Sequence, residues 1–124
     1  MWLMLNDCFL SIVSKDCARD ELLVRARRRG DIEKVFRDAK VIHTPAPADY
    51  RFRATVKITE IIKMMEGEIR RITYSNFKNS VDDKDLHDAY LQVWTAMMSV
   101  QRGGNRFGNL FDTQKPARKR KKKG

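Results

Sequence analysis

Two short segments of this sequence alternate apolar and basic residues, one from Val24 to Arg29 and the other from Tyr50 to Lys57. Because successive side chains of a strand point to opposite faces, each segment predicts a strand with an apolar side and a cationic side. If both strands belong to one sheet, the apolar side packs on helices and the other side becomes a basic surface suited to phosphate. The residues predicted to share this basic surface are Arg25, Arg27, Arg29, Arg51, Arg53 and Lys57.

Length and charge limit the chain to one modest core. A chain of 124 residues with 42% hydrophobic content is too short for two ordinary domains. The net charge of +10 is concentrated at the end, because residues 115–124 hold seven basic residues and no acid, which leaves residues 1–114 at only +3. We therefore expect a single α+β domain over residues 1–100, a linker or docking segment over 101–114 and a disordered basic tail over 115–124.

The hydrophobic pattern predicts an α+β fold with elements in the order ββαββαα. Strand-like runs occupy residues 2–14, 21–28, 41–44 and 50–58, and Asn6-Asp7 marks a turn or a bulge within the first run. Asp31 is a predicted N-cap of a short helix that carries Ile32, Val35 and Phe36. The natural arrangement is an antiparallel sheet with helices packed on one face.

Two further helices follow from residues that recur every three or four positions. The first has a predicted buried stripe of Ile58, Ile62, Met65, Ile69 and Ile72. The second has a predicted stripe of Leu86, Tyr90, Val93 and Met97. Acidic residues at its start, Asp82, Asp83 and Asp85, would complement the positive end of the helix dipole.

The basic tail has three interpretations that need only charge density. It can be a non-specific nucleic-acid arm, a nuclear localisation signal or an engineered addition, and its candidate phosphate contacts are Arg118, Lys119, Arg120 and Lys121. The preceding Phe107, Leu110 and Phe111 either fold back onto the domain or form a small docking motif.

Cysteine usage and hydropathy favour a cytoplasmic protein. Cys8 and Cys17 are the only cysteines, and their spacing indicates neither a metal site nor a disulfide framework. No signal peptide is expected at the apolar start, and no uncharged apolar run approaches membrane-spanning length.

Five short motifs stand out in the sequence: Trp2-Leu3, Val24 to Arg27, Asp49 to Arg53, Asn76-Phe77-Lys78 and Tyr90 to Trp94. With these motifs the chain resembles a group of bacterial and phage hypothetical proteins of about 100 residues. The resemblance covers residues 1–98 and excludes the tail. It implies a stand-alone cytoplasmic domain, associated with mobile elements, and implies no mechanism.

The arginines indicate phosphate because a planar guanidinium matches phosphate oxygens with two parallel hydrogen bonds and also stacks on bases. Tyr50 is a candidate stacking partner and Lys78 a further candidate phosphate contact, whereas Phe52 shares the apolar face and is expected in the core. Alternatives are a solvated face whose arginines pair with neighbouring acids, and a surface for an acidic protein partner.

Catalytic signatures are scarce in this chain. No phosphate-binding glycine loop, dinucleotide motif or zinc-protease motif is present. A histidine–carboxylate pair of His87 with Asp83 is better explained as a surface feature of a first helical turn. A weak metal cluster of Asp82, Asp83, Asp85 and Asp88 is better explained by capping at a helix start. We expect a non-enzymatic nucleic-acid-binding accessory protein without a cofactor, of unassigned oligomeric state. The alternative is a phage or mobile-element module that inhibits a host nucleic-acid-processing or defence complex.

Overall fold

Five antiparallel strands form one sheet in the computed structural model, which describes residues 1–103. The strand order across the sheet is β1-β2-β3-β5-β4. The strands are β1 (Trp2–Met4), β2 (Phe9–Val13), β3 (Glu21–Ala26), β4 (Ile42–His43) and β5 (Phe52–Lys57). The helices are α1 (Asp31–Val35), α2 (Ile58–Arg70) and α3 (Lys84–Gln101), with a 3₁₀ turn at Lys78–Ser80. The predicted α+β class is confirmed.

The chain forms two compact units. The first comprises Met1–Leu86 and contains the whole sheet, and the second begins at His87 within α3. The predicted linker and tail beyond residue 103 lie outside the described residues.

The chain turns at Asn6-Asp7, and this turn divides the first predicted strand into two. The sheet therefore has five strands and not the four of the predicted order. The amide of Leu5 donates to the carbonyl of Cys8 at 2.9 Å, which closes the loop between β1 and β2. Trp2 then lies opposite Ser11 in an antiparallel ladder. Residues 2–14 therefore fold as a hairpin instead of one bulged strand.

The core lies between one face of the sheet and the helices α1 and α2. Leu10, Val24 and Ala54 contribute from three neighbouring strands, and Ile32 and Ile61 contribute from the two helices. Phe52 belongs to the same cluster, as expected from its position on the apolar face. The apolar sides of the two alternating segments thus face helices, as the pattern predicts.

The predicted stripe of α2 is largely wrong. Ile62 and Ile69 are each 61% exposed and Ile72 is 52% exposed, whereas Ile61 is the buried residue of this helix. Because α2 follows β5 without a loop, the strand fixes the rotation of the helix and turns Ile61 and Met65 toward the core. In α3, Leu86 and Tyr90 are buried but Val93 and Met97 are exposed, so that stripe is only half correct.

The N-cap of the first helix lies one residue earlier than predicted. Gly30 occupies the N-cap with φ +91°, a left-handed backbone conformation that glycine adopts without steric cost, and Asp31 is the first helical residue. The carboxylate of Asp31 makes no capping bond and is instead buried beside Arg28 and Lys34.

Candidate nucleic-acid interface

The two alternating segments are neighbouring strands of the sheet, and their basic faces coincide. Arg25 of β3 lies directly opposite Arg53 of β5 in the antiparallel ladder. Both side chains project from the face opposite the core, because Ala26, Phe52 and the residues alternating with them point into it. Arg25 and Arg53 thus share one face of the sheet, as alternation along the two strands predicts.

The strand β3 ends at Ala26, so alternation does not place the next arginines. The predicted strand continued to Arg28, but Arg27 and Arg29 follow the last ladder pair, Ala26 opposite Phe52. Arg51 immediately precedes β5. Because the strands are antiparallel, the end of β3 meets the start of β5, and five arginines of the predicted surface gather at this end of the sheet.

Lys57 lies at the other end of the same strand pair, opposite Glu21. It is about 13 Å along β5 from Arg53, at roughly 3.3 Å per residue. Its ammonium forms an exposed ion pair with Asp20 at 2.7 Å. This pairing raises the pKa of Lys57 and lowers the pKa of Asp20, mainly through the hydrogen bond between them. Lys57 is therefore separate from the five arginines at the other end of these strands, and the prediction of one continuous surface that includes it is corrected.

Tyr50 organises the arginines and is not itself exposed to a ligand. Only 3% of the residue is accessible, and the guanidinium carbons of Arg25 and Arg27 lie 4.5 and 4.3 Å from the centre of its ring. Such stacked cations are attracted to the negative face of the ring. The predicted role of Tyr50 in stacking on a base is therefore replaced by a role in positioning cations.

The backbone beside Tyr50 fixes the same group of arginines. Arg27 Nη1 donates to the carbonyl of Asp49 at 2.9 Å, and Arg53 Nε donates to the carbonyl of Tyr50 at 3.0 Å. Arg53 Nη2 also lies 3.6 Å from a carboxylate oxygen of Asp49, and its side chain is 25% exposed. One dipeptide thus holds three guanidinium groups at one end of the sheet.

Arg25 is the most enclosed member of the group. Its Nη2 donates to Ser11 Oγ at 2.7 Å, while its Nε is buried and has no hydrogen-bond partner. A buried donor without a partner costs about 1–3 kcal/mol. Arg25 therefore contributes positive charge beneath the surface and offers little to a ligand directly.

The six predicted basic residues of the sheet differ in the partners that they contact. Arg53 and Lys57 have carboxylate partners, and Arg25 is half-buried on Ser11. The other three are exposed and make no ion pair with any residue in the described part of the chain. We call Arg27, Arg29 and Arg51 the open arginines.

Arg28 belongs to an ion-pair network that the strand pattern did not predict. Its guanidinium contacts Asp83 Oδ2 at 3.0 Å and Asp31 Oδ2 at 3.5 Å. Asp83 Oδ1 accepts a hydrogen bond from the amide of Leu86 at 3.0 Å, which confirms the predicted capping role at the start of α3. That amide and then Arg28 lower the pKa of Asp83 below its ordinary value of 3.8.

His43, on the two-residue strand β4, also lies near this end of the sheet. It faces Phe52 across the short ladder between β4 and β5. The two rings are stacked, with centroids 4.8 Å apart and planes inclined by 9°. The guanidinium of Arg29 lies over the same Phe52 ring at 5.0 Å. Only the cross-strand register brings these residues together, and no local motif encodes it.

Five further predicted site residues lie elsewhere in the sequence. Lys78 is half-buried in the 3₁₀ turn, and Arg118, Lys119, Arg120 and Lys121 lie outside the described residues. Among residues 1–103, no group of three or more His, Cys, Asp or Glu side chains is arranged to hold a metal ion. His87 Nδ1 lies 3.7 Å from the carboxylate of the adjacent Asp88.

Comparison with models of protein families, with curated proteins and with solved structures found no match to this chain. No helix within residues 1–103 combines the length and the apolar character needed to cross a membrane.

Proposed function

We propose that this protein is a cytoplasmic, non-enzymatic accessory protein that binds nucleic acid through its phosphate backbone. The observation that carries the proposal is the presence of the open arginines at one end of the sheet, exposed and without a carboxylate partner among residues 1–103. Each can offer a planar pair of N–H donors to phosphate oxygens.

The contacts that hold the Arg27 and Arg29 side chains in place favour binding. Arg27 is held by the Tyr50 ring and the carbonyl of Asp49, and Arg29 rests on Phe52. Side chains that are ordered before a ligand arrives lose less conformational entropy on binding. The guanidinium of Arg25, which contacts the same Tyr50 ring, adds a further positive charge behind the surface.

The basic tail would add affinity without adding sequence information. Its charges, including Arg118 to Lys121, would release counterions from any phosphate backbone. A binding test must therefore separate the tail from the open arginines. Replacing the basic residues of 118–123 by serine in the full chain provides such a background.

A pair of charge-matched variants tests the proposal. The first replaces all three open arginines by glutamine, Arg27→Gln, Arg29→Gln and Arg51→Gln. The second removes the same charge from cations that already have carboxylate partners, Lys57→Gln, Arg70→Gln and Arg71→Gln. Arg53 is left intact because it braces Tyr50 and Asp49.

In the tail-neutralised background, we expect the first variant to lose binding to mixed nucleic acids in an electrophoretic shift assay. The second variant should bind as the parent does, because each of its cations already donates to a carboxylate and has fewer N–H donors free for phosphate. Equal loss in both variants would show that only net charge matters, and no loss in either would reject the open arginines as the binding residues.

An apolar groove supports the alternative of a protein-interaction module from a phage or mobile element. Met1, Ile62, Met65 and Ile69 line it, and Met1, Ile62 and Ile69 are more than half exposed. Exposed apolar patches of this kind mark interaction sites. In this alternative, a defined host partner is recovered after nuclease treatment and is lost when Ile62→Glu and Ile69→Glu are introduced together.

A further inference from the structure

The stack of His43 on Phe52 presents an aromatic surface beside Arg29, one of the open arginines. Phe52 is buried in the core, whereas His43 is exposed on the two-residue strand β4. Phe52 covers one face of the imidazole, and no other ring contact of His43 occurs within residues 1–103. The core thus fixes the plane of an exposed ring.

A cation lies within reach of the same stack. The Arg29 guanidinium contacts the Phe52 ring that supports His43, and Arg51 is the residue next to Phe52 along the chain. Opposed residues in a ladder have Cα atoms about 5 Å apart, and adjacent residues about 3.8 Å. Arg29 is thus the open arginine that shares the Phe52 ring with His43, and Arg51 precedes that ring in the chain.

We propose that His43 is a stacking platform for an unpaired base, so that the site binds single-stranded nucleic acid in preference to a duplex. This inference rests on the proposed binding of phosphate by the open arginines. In a duplex the base faces are already stacked on neighbouring bases, whereas in a single strand they are available to an aromatic ring. Imidazole rings serve as such platforms in single-strand recognition.

Three probes separate stacking from phosphate contact in the tail-neutralised full chain. They are a thymidine oligomer of about 12 nucleotides, an abasic strand of the same length and a hairpin duplex. The variants are His43→Ala, His43→Leu and His43→Trp. Leucine retains an apolar cover over Phe52 without a π face, and tryptophan restores one.

The expected result is selective for the base. His43→Ala and His43→Leu should weaken binding of the thymidine oligomer at least about fivefold and leave the abasic strand unchanged, while His43→Trp restores or exceeds parental affinity. The parent should also prefer the oligomer to the hairpin. Thermal unfolding of each variant reports whether the fold is retained, and the leucine variant keeps the test decisive if the alanine variant unfolds.

Two kinds of failure are distinguishable. If the His43 variants bind the oligomer as tightly as the parent, or lose affinity equally for the oligomer and the abasic strand, the stacking role is overturned while phosphate binding stands. If replacing the open arginines leaves binding of the abasic strand unchanged, the proposed function itself fails.

Discussion

Replacing Tyr50 by leucine should weaken both the fold and the basic surface, because two guanidinium groups rest on its ring. Leucine keeps an apolar side chain at this buried position but removes the π face beneath Arg25 and Arg27. Tyr50→Phe is the matched control, since it removes only the hydroxyl and keeps the ring.

The magnitude follows from the exposure of the two cations. A cation–π contact contributes about 0.5–1 kcal/mol when exposed, as for Arg27, and about 2 kcal/mol when desolvated, which the half-buried Arg25 approaches. The expected loss for Tyr50→Leu is therefore about 2 kcal/mol in the free energy of unfolding. At roughly 4–8 °C per kcal/mol for a domain of this size, Tm should fall by about 10 °C.

Thermal unfolding followed by circular dichroism measures this difference directly. A double-mutant cycle of Tyr50→Leu with Arg27→Gln should add a coupling energy of about 0.5–1 kcal/mol. If Tyr50→Leu and Tyr50→Phe unfold at the same temperature, or if the cycle shows no coupling, the ring does not organise the arginines and the reasoning is refuted.

Three further predictions concern the fold. In the native protein, a thiol reagent at neutral pH should modify Cys17 but not Cys8, because burial, assisted by the nearby Asp7, raises the pKa of the Cys8 thiol to about 12; equal labelling of both would contradict this. The Asp83→Asn variant should be less stable than the wild type at pH 7, since the ion pair with Arg28 is lost. Because the folded pKa of Asp83 is lowered, that difference should begin to shrink as pH falls below the ordinary value of 3.8 and should vanish below the lowered pKa of the folded protein, as urea unfolding at several pH values would show. Leu10→Ala should cost about 2–5 kcal/mol in urea unfolding, because Leu10 is fully buried in the central sheet, and a loss below about 1 kcal/mol would contradict its place in the core.

The alternation of apolar and basic residues correctly predicted the strands β3 and β5 and the face on which each of their side chains lies, as far as each strand extends. The pairing of Arg25 with Arg53 and the burial of Phe52 follow from a period of two and from the adjacency of the strands. The positions of Arg27 and Arg29 do not follow, because β3 ends at Ala26 and a side chain beyond a strand end is placed by its tertiary contacts.

Features that depend on which elements pack together could not be predicted from the sequence pattern. The helix α2 has one broad apolar face that carries Ile61, Ile62 and Ile69 together, so periodicity alone did not distinguish a stripe through Ile61 from one through Ile62 and Ile69. The contact of His43 with Phe52 depends on a ladder of two residues whose register no turn motif specifies. Such non-local geometry converts an isolated histidine into a candidate binding residue.

The salt dependence of single-strand binding tests the central claim most directly. Each phosphate neutralised by a cation contributes about 0.7 to the slope of log affinity against log salt for a single strand. In the tail-neutralised full chain, replacing Arg27, Arg29 and Arg51 by glutamine should lower the magnitude of that slope by about 2, whereas replacing Lys57, Arg70 and Arg71 should leave it unchanged. Slopes that change equally in the two variants, or in neither, would contradict the assignment of phosphate binding to the open arginines.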